Sequence, residues 1–249
     1  DGSEYEESIN LGKDQFFALL ASTGATPKTS QPSPQILMDL FEDAKKAGDE
    51  AVYITLSSAL SGTYQTAAMT CEDMDSEDCF VFDSLNATGG QRLLVEYAVR
   101  LRDEGKCAKE IITALETIRD KIVLFACIDT LEYLYRGGRI SQTVYKLGTM
   151  AQVKPIIRVS EEGTIEVPAK AMGMRKGMDW LCKRVEDRKP SSEHNFYAMY
   201  TGERSNGVAL AEKFRAMGYD IPDEKIINVG AAIGSHVGPN ACGMVYVAE

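Results

Sequence analysis

The sequence predicts a two-domain α/β protein: a mostly parallel sheet flanked by helices, then a second, mixed α/β domain. Three observations carry that expectation. Short, β-rich apolar runs alternate with amphipathic helical periods through the first half. In the second half the polar turn Ser160-Glu161-Glu162-Gly163 joins two strand-like runs, which reads as a hairpin within a sheet that also contains crossovers. The pattern changes near Asp120, so domains of 1–120 and 121–249 are expected.

Each element has its own signal. Ser33-Pro34 is an N-cap followed by proline in the first turn. Ile36, Leu37, Leu40, Phe41 and Ala44 then fall on one helical face, and Gly48 is a stop. Residues 51–56 (AVYITL) form an apolar strand covered on both faces. The polar turn 57–62 leads into a helix over 63–74, and 79–82 (CFVF) is a second buried strand ending at Asp83-Ser84. Leu93, Leu94, Tyr97, Ala98 and Leu101 mark one helix; Ile111, Ile112, Leu115 and Ile118 mark the next. Beyond the break, strands are expected at 122–128, 153–159, 164–167, 195–200 and 226–229, with helices around 173–188 and 204–217. A terminal strand follows residue 240.

Composition narrows the function. Lys and Arg total 27 against 37 Asp and Glu, a net charge of −10, which repels nucleic-acid backbones and anionic lipid surfaces. No run approaches the roughly 18 apolar residues of a membrane span. Asp1-Gly2-Ser3-Glu4-Tyr5-Glu6-Glu7 is acidic and polar, unlike a signal peptide, so a cytoplasmic location is expected. The six cysteines show no CxxC spacing and read as reduced, partly buried thiols. No His/Cys/carboxylate pattern suits a metal, and no P-loop or GxGxxG suggests a nucleotide cofactor.

Three polar clusters lie beside strands. Lys28-Thr29-Ser30-Gln31-Pro32-Ser33-Pro34 fits a turn and helix cap. The second, Ser57-Ser58-Ala59-Leu60-Ser61-Gly62-Thr63-Tyr64, joins a parallel strand to a helix, where α/β folds place ligands and helix N-termini favour anions. The third is a glycine-rich loop, Gly234-Ser235-His236-Val237-Gly238-Pro239-Asn240, holding one of only two histidines; His194 sits in a charged segment and reads as solvated. A Ser61–His236 hydrolase pair is an alternative, with Asp83 or Asp129 as a third member. The G-x-S-x-G elbow is absent, however, because Ala59 stands where its first glycine belongs. The clusters suit holding an anion better than breaking a bond.

Taken in order, six motifs resemble the DegV family: Thr29-Ser30-Gln31-Pro32-Ser33, Leu60-Ser61-Gly62-Thr63-Tyr64, Phe82-Asp83-Ser84, Arg136-Gly137-Gly138-Arg139-Ile140-Ser141, Val153-Lys154-Pro155-Ile156 and Gly234-Ser235-His236-Val237-Gly238-Pro239. The resemblance spans essentially the whole chain. It implies a two-domain α/β fold with a long-chain fatty acid enclosed between the domains. It also implies a non-catalytic subunit that presents the fatty-acid carboxylate to a separate fatty acid kinase protein, with no other cofactor. Residue by residue, Thr29 and Ser61 match the family's carboxylate-binding hydroxyls, Arg139 the arginine of the Gly-Gly-Arg segment, and His236 the histidine of the last loop. Ser30, Gly62 and Gly238 would support them. Phe16, Phe17, Ile54, Leu56, Phe125, Ile128 and Leu131 are candidates to sheath the tail or to form plain core.

Three departures accompany the resemblance. Relatives begin with a strand ahead of the segment matching Asp1-Gly2-Ser3-Glu4-Tyr5, and that strand is expected to be missing here. Asn240 replaces a common glycine. Met172 and Met174 occupy the stretch 170–176, where relatives carry arginines, which bears on kinase docking. Besides the enzyme alternative, a lipid-responsive sensor is a third reading.

Overall fold

A computed structural model describes residues 11–24, 26–74, 77–148 and 152–249. The expectations for Asp1-Gly2-Ser3-Glu4-Tyr5 and for a strand ahead of it lie outside these residues. In chain order, α1 (Lys13–Thr23) and α2 (Pro34–Ala47) precede β1 (Ala51–Thr55), and α3 (Thr63–Asp73) precedes β2 (Cys79–Asp83). Then come α4 (Thr88–Asp103), α5 (Ala108–Arg119), β3 (Ile122–Cys127), α6 (Glu132–Arg136) and α7 (Gln142–Gly148). The hairpin strands β4 (Val153–Val159) and β5 (Ile165–Met172) are followed by α8 (Met174–Asp187), β6 (Tyr197–Tyr200) and α9 (Arg204–Ala216). The chain ends with β7 (Ile226–Asn228), α10 (Ala231–Val237) and β8 (Cys242–Val247).

The chain forms two compact units. One comprises Ser30–Ile122 with Val159–Thr164; the other holds the described residues up to Thr29, Val123–Arg158 and Ile165–Glu249. This partition differs from the expected 1–120 and 121–249 in two places, the segment up to Thr29 and the hairpin tip Val159–Thr164, each of which belongs to the other unit. The reason for the N-terminal difference is packing that periodicity does not reveal. Helix α1 buries Phe17 and Leu20, Lys13 donates to the Asn228 carbonyl at 3.0 Å, and Asn228 donates to Asp14 at 2.8 Å. The hairpin tip leaves its strands because Ser57 holds the Gly163 carbonyl at 2.8 Å.

In the first unit β1 and β2 pair in parallel, Ala51 opposite Cys79 and Thr55 opposite Asp83. Helix α2 caps on Ser33, whose hydroxyl accepts the Ile36 N–H, and stops at Gly48 in the left-handed region. Leu37 and Phe41 bury against Ala67 and Cys79. Ile36 and Leu40 do not share that face: each is 55% exposed. One residue of α-helix turns the side chain by roughly 100°, so this pair lies beside the buried stripe rather than within it. Among the described residues β1 pairs with β2 alone; its other side opens on a groove of about 720 Å³ lined by Val52, Ile54, Val95 and Val99.

The second unit is built on a mixed sheet in the order β5-β4-β3-β8-β6-β7. β3 with β4 and β6 with β8 run antiparallel, whereas β6 with β7 runs parallel. Strand β8 is buried along its whole length, as a central strand should be. Leu181 and Val185 of α8 and Leu210 and Phe214 of α9 join Cys127, Met244 and Tyr246 in one core. The Phe196 ring meets Phe214 at a tilt and Tyr219 and Tyr246 edge to face. Ile128 and Leu131 belong to a second core with Leu134 and Ile157, so these two sheath candidates are core residues. Desolvation pushes the Cys127 thiol up to about 12, making it an inert packing group.

Candidate functional site

In the first unit, the loops after β1 and β2 are stapled together by one carboxylate. Asp83 accepts the Ser58 N–H at 3.1 Å and the Leu85 N–H at 3.0 Å. Ser57 N–H donates to the Asn86 carbonyl at 2.7 Å, and the Ser57 hydroxyl also accepts the Ala59 N–H. This rigid turn delivers Ser61 to the start of α3. There its oxygen accepts the Thr63 N–H at 3.3 Å and shares a hydrogen bond with the Thr63 hydroxyl at 2.9 Å. Gly62 lies under the Gln31 side chain, which donates to Thr66 at 2.6 Å. Ser30 is exposed at the entry to this unit. Gln31 entered the sequence reading only as a member of a motif, and Asp83 as a motif member and a possible third member of a hydrolase arrangement; its stapling of the two loops was not foreseen.

In the second unit, Thr29, Arg139 and His236 come together. The expected glycine-rich loop is a helix instead: residues 231–237 form α10, with Ser235 donating to the Ala231 carbonyl at 2.8 Å. Glycine suppressed that expectation, yet Gly234 is needed for contact and not for a turn. A Cβ there would stand 2.6 Å from the Phe17 ring of α1. The helix ends at Gly238, at φ 77°, packed so closely on Tyr133 that a Cβ would lie 2.4 Å from the ring. Thr201, buried behind this turn, donates to the Gly238 carbonyl at 2.7 Å and accepts the Ala241 N–H at 2.9 Å. Asn240 takes φ 63°, a left-handed conformation that asparagine tolerates, so its replacement of glycine keeps the turn.

His236 therefore projects from the last turn of α10 with both ring nitrogens defined. Nε2 lies 2.9 Å from the Thr29 hydroxyl. Nδ1 is buried over Gly137 and has no hydrogen-bond partner among the described residues. Arg139 folds its guanidinium onto the Gly137 carbonyl at 2.5 Å. The Arg136 guanidinium donates to Thr26 at 3.0 Å, tying the segment that carries Thr29 to α6. Tyr133 and Thr201 were not singled out from the sequence, and Gly137 entered only as part of the motif Arg136-Gly137-Gly138-Arg139-Ile140-Ser141.

Burial, and then the Arg139 charge, hold the His236 imidazole below its ordinary value of 6.5. The unfolded chain therefore takes up this proton first as pH falls. The contribution to stability is fully present above about 6.5 and is lost as pH drops through the lower folded value. The stability advantage of the protein over His236→Gln should thus shrink between pH 7 and 5 in urea unfolding. An advantage that grows on acidification would show that the ring is charged in the fold.

The DegV family model, described as "Uncharacterised protein, DegV family", matches residues 1–249. The chain belongs to the DegV family. A DegV domain-containing protein of Caldanaerobacter subterraneus is 32% identical over 249 residues, covering 99% of this chain and 87% of that protein. A solved DegV family protein of Thermus thermophilus, described for its fatty acid binding, superposes with a TM-score of 0.85. It is 28% identical, with 99% of this chain and 88% of that one covered. The Fak B3 protein of the Streptococcus pneumoniae fatty acid kinase, loaded with linoleic acid, shares the fold. Its TM-score is 0.82 at 23% identity, covering 97% and 85% of the two chains. In this DegV family member no helix among the described residues is long and apolar enough to cross a membrane. No group of three or more potential metal ligands occurs among the described residues either.

Proposed function

We propose that this protein binds a long-chain fatty acid and presents its carboxylate to a partner kinase in the cytoplasm for acyl-phosphate formation, itself non-catalytic. The observation that carries the reading is the Thr29 hydroxyl held 2.9 Å from His236, beside the Arg139 charge, in a DegV family chain. Thr29 and Ser61 are the hydroxyl donors for the carboxylate, and Arg139 and His236 offset its removal from water. The fatty acid binding described for the Thermus thermophilus protein and the linoleic acid loaded on the Streptococcus pneumoniae protein support the ligand class. The kinase role draws on the description of the latter as a fatty acid kinase protein. A tail of ~14 methylenes at ~0.8 kcal/mol each contributes roughly 11 kcal/mol of gross burial, before the costs of association. A carrier that sheaths such a tail and leaves the head accessible makes the acid available to a soluble kinase.

A serine hydrolase is the poorer reading. Its base needs an orienting acceptor on the far ring nitrogen, whereas Nδ1 of His236 is buried over Gly137. Native mass spectrometry of the purified protein, followed by lipid identification, is the direct test. A stoichiometric long-chain fatty acid is expected, and Thr29→Ala and Ser61→Ala should each weaken retention about tenfold. Full retention in the double variant would overturn the head-group assignment. A folded protein that stays empty with a fatty-acid panel would overturn the binding function.

A further inference from the structure

We infer that Cys71 and Cys79 form a redox-active dithiol that closes a reversible disulfide between α3 and β2, within the first unit. The inference does not draw on the fatty-acid reading. Cys71 lies near the end of α3, and Cys79 opens β2. The Cys71 thiol donates to the Cys79 carbonyl at 3.0 Å. Both side chains also share one apolar cluster: Cys79 is buried in it with Leu37, Phe41 and Ala67, and Cys71 packs against it. The Cys71 sulfur thus touches the very residue that carries its partner, on the face of the sheet where that partner lies. Rotation of two short side chains brings sulfur to sulfur. Access separates this pair from the other buried thiols. Cys127 and Cys242 are fully buried and closed to any oxidant, whereas Cys71 is only partly buried.

That asymmetry sets the order of events with a small-molecule disulfide such as glutathione disulfide. Cys71, as its thiolate, attacks one sulfur of the oxidant. The glutathione S–S bond breaks, a Cys71–glutathione bond forms, and one glutathione leaves as a thiolate. Cys79 then gives up its proton and attacks the Cys71 sulfur, expelling the second glutathione. Two protein thiols are oxidised, one small disulfide is reduced to two thiols, and the two protons lost by the protein end on them. Burial, and then the neighbouring Cys79, hold the Cys71 thiol above its ordinary value, so the first attack is slow. The product joins residues eight positions apart. Closing that loop removes conformations from the unfolded chain, and the unfolding constant should fall on the order of tenfold to a hundredfold.

The test uses the full chain carrying Cys107→Ser, which removes the exposed thiol. The folded protein is incubated with glutathione disulfide and its intact mass is followed. A product two hydrogen atoms lighter, with no glutathione retained, is expected. Cleavage at Glu77, between the pair, should leave two peptides joined through Cys71 and Cys79, and dithiothreitol should restore the starting mass. Cys79→Ser should instead trap one glutathione on Cys71, and Cys71→Ser should take up none. Urea unfolding of the oxidised and reduced protein then shows whether the bond fits the fold, with a higher midpoint expected for the oxidised form. Glutathione held on Cys71 while Cys79 stays free would overturn the inference, as would thiols that remain unreacted. A joined pair that lowers the urea midpoint would overturn it too, because the bond would then form only at the expense of native packing.

Discussion

Gly163→Ala is expected to cost about 2–5 kcal/mol of stability, adding left-handed strain of ~1–2 kcal/mol to an overpacking term of ~1–3 kcal/mol. Gly163 sits at the tip of the β4–β5 hairpin at φ 76°. A Cβ there would lie 2.1 Å from the Ser57 hydroxyl oxygen and 3.2 Å from the Leu85 Cα. The second neighbour is backbone and cannot swing aside. The Ser57–Gly163 hydrogen bond of 2.8 Å would break, leaving a buried hydroxyl to find another acceptor. Gly138→Ala is the control: its φ is 74°, with nothing within 4 Å of the added carbon. It should show only the backbone share, roughly 1–2 kcal/mol. Urea denaturation of both variants separates the two contributions. Equal losses would mean that Gly163 is required for its backbone alone.

Gly137→Ala should combine a stability loss of about 1–3 kcal/mol with weaker fatty-acid binding. The backbone at Gly137 is ordinary, φ −75°, so strain plays no part. The cost comes from a Cβ placed 2.1 Å from His236 Nδ1. The imidazole must move off Gly137, and doing so breaks its contact with Thr29. Combining Gly137→Ala with His236→Ala removes the clash, so the double variant should recover much of the stability, a non-additivity typical of touching residues. Fatty-acid retention, by contrast, should stay low, because no ring is left to orient Thr29. Thermal unfolding together with lipid titration reads both effects. Additive stability losses would show that Gly137 and His236 do not press on one another.

Much of the architecture was legible because it rests on local periods. The runs 51–56 and 79–82 matched β1 and β2, and the Ser33-Pro34 start and Gly48 stop of α2 lie where the capping residues placed them. Motif order was equally legible, since six short polar segments in sequence carried the family resemblance. Helix α10 was not. Its Gly234 has poor helical propensity, and the compensation comes from Phe17, a residue far away in the chain. Ile36 and Leu40 mark the other limit: a helical stripe of five apolar residues is wider than the surface that covers it.

The sequence by itself determined the fold class and the family, and it singled out Thr29, Ser61, Arg139 and His236 as candidate polar groups for the site. These follow from local propensity and from residue order, which a linear chain carries in full. Only the tertiary structure decided that the residues leading to Thr29 pack with the C-terminal unit, and that His236 meets Thr29 through one nitrogen while burying the other over Gly137. Those outcomes depend on contacts between residues far apart in the chain, 99 positions for Gly137 and His236 and 207 for Thr29 and His236. Close packing selects among such contacts by shape, and shape is not written in any local stretch of sequence.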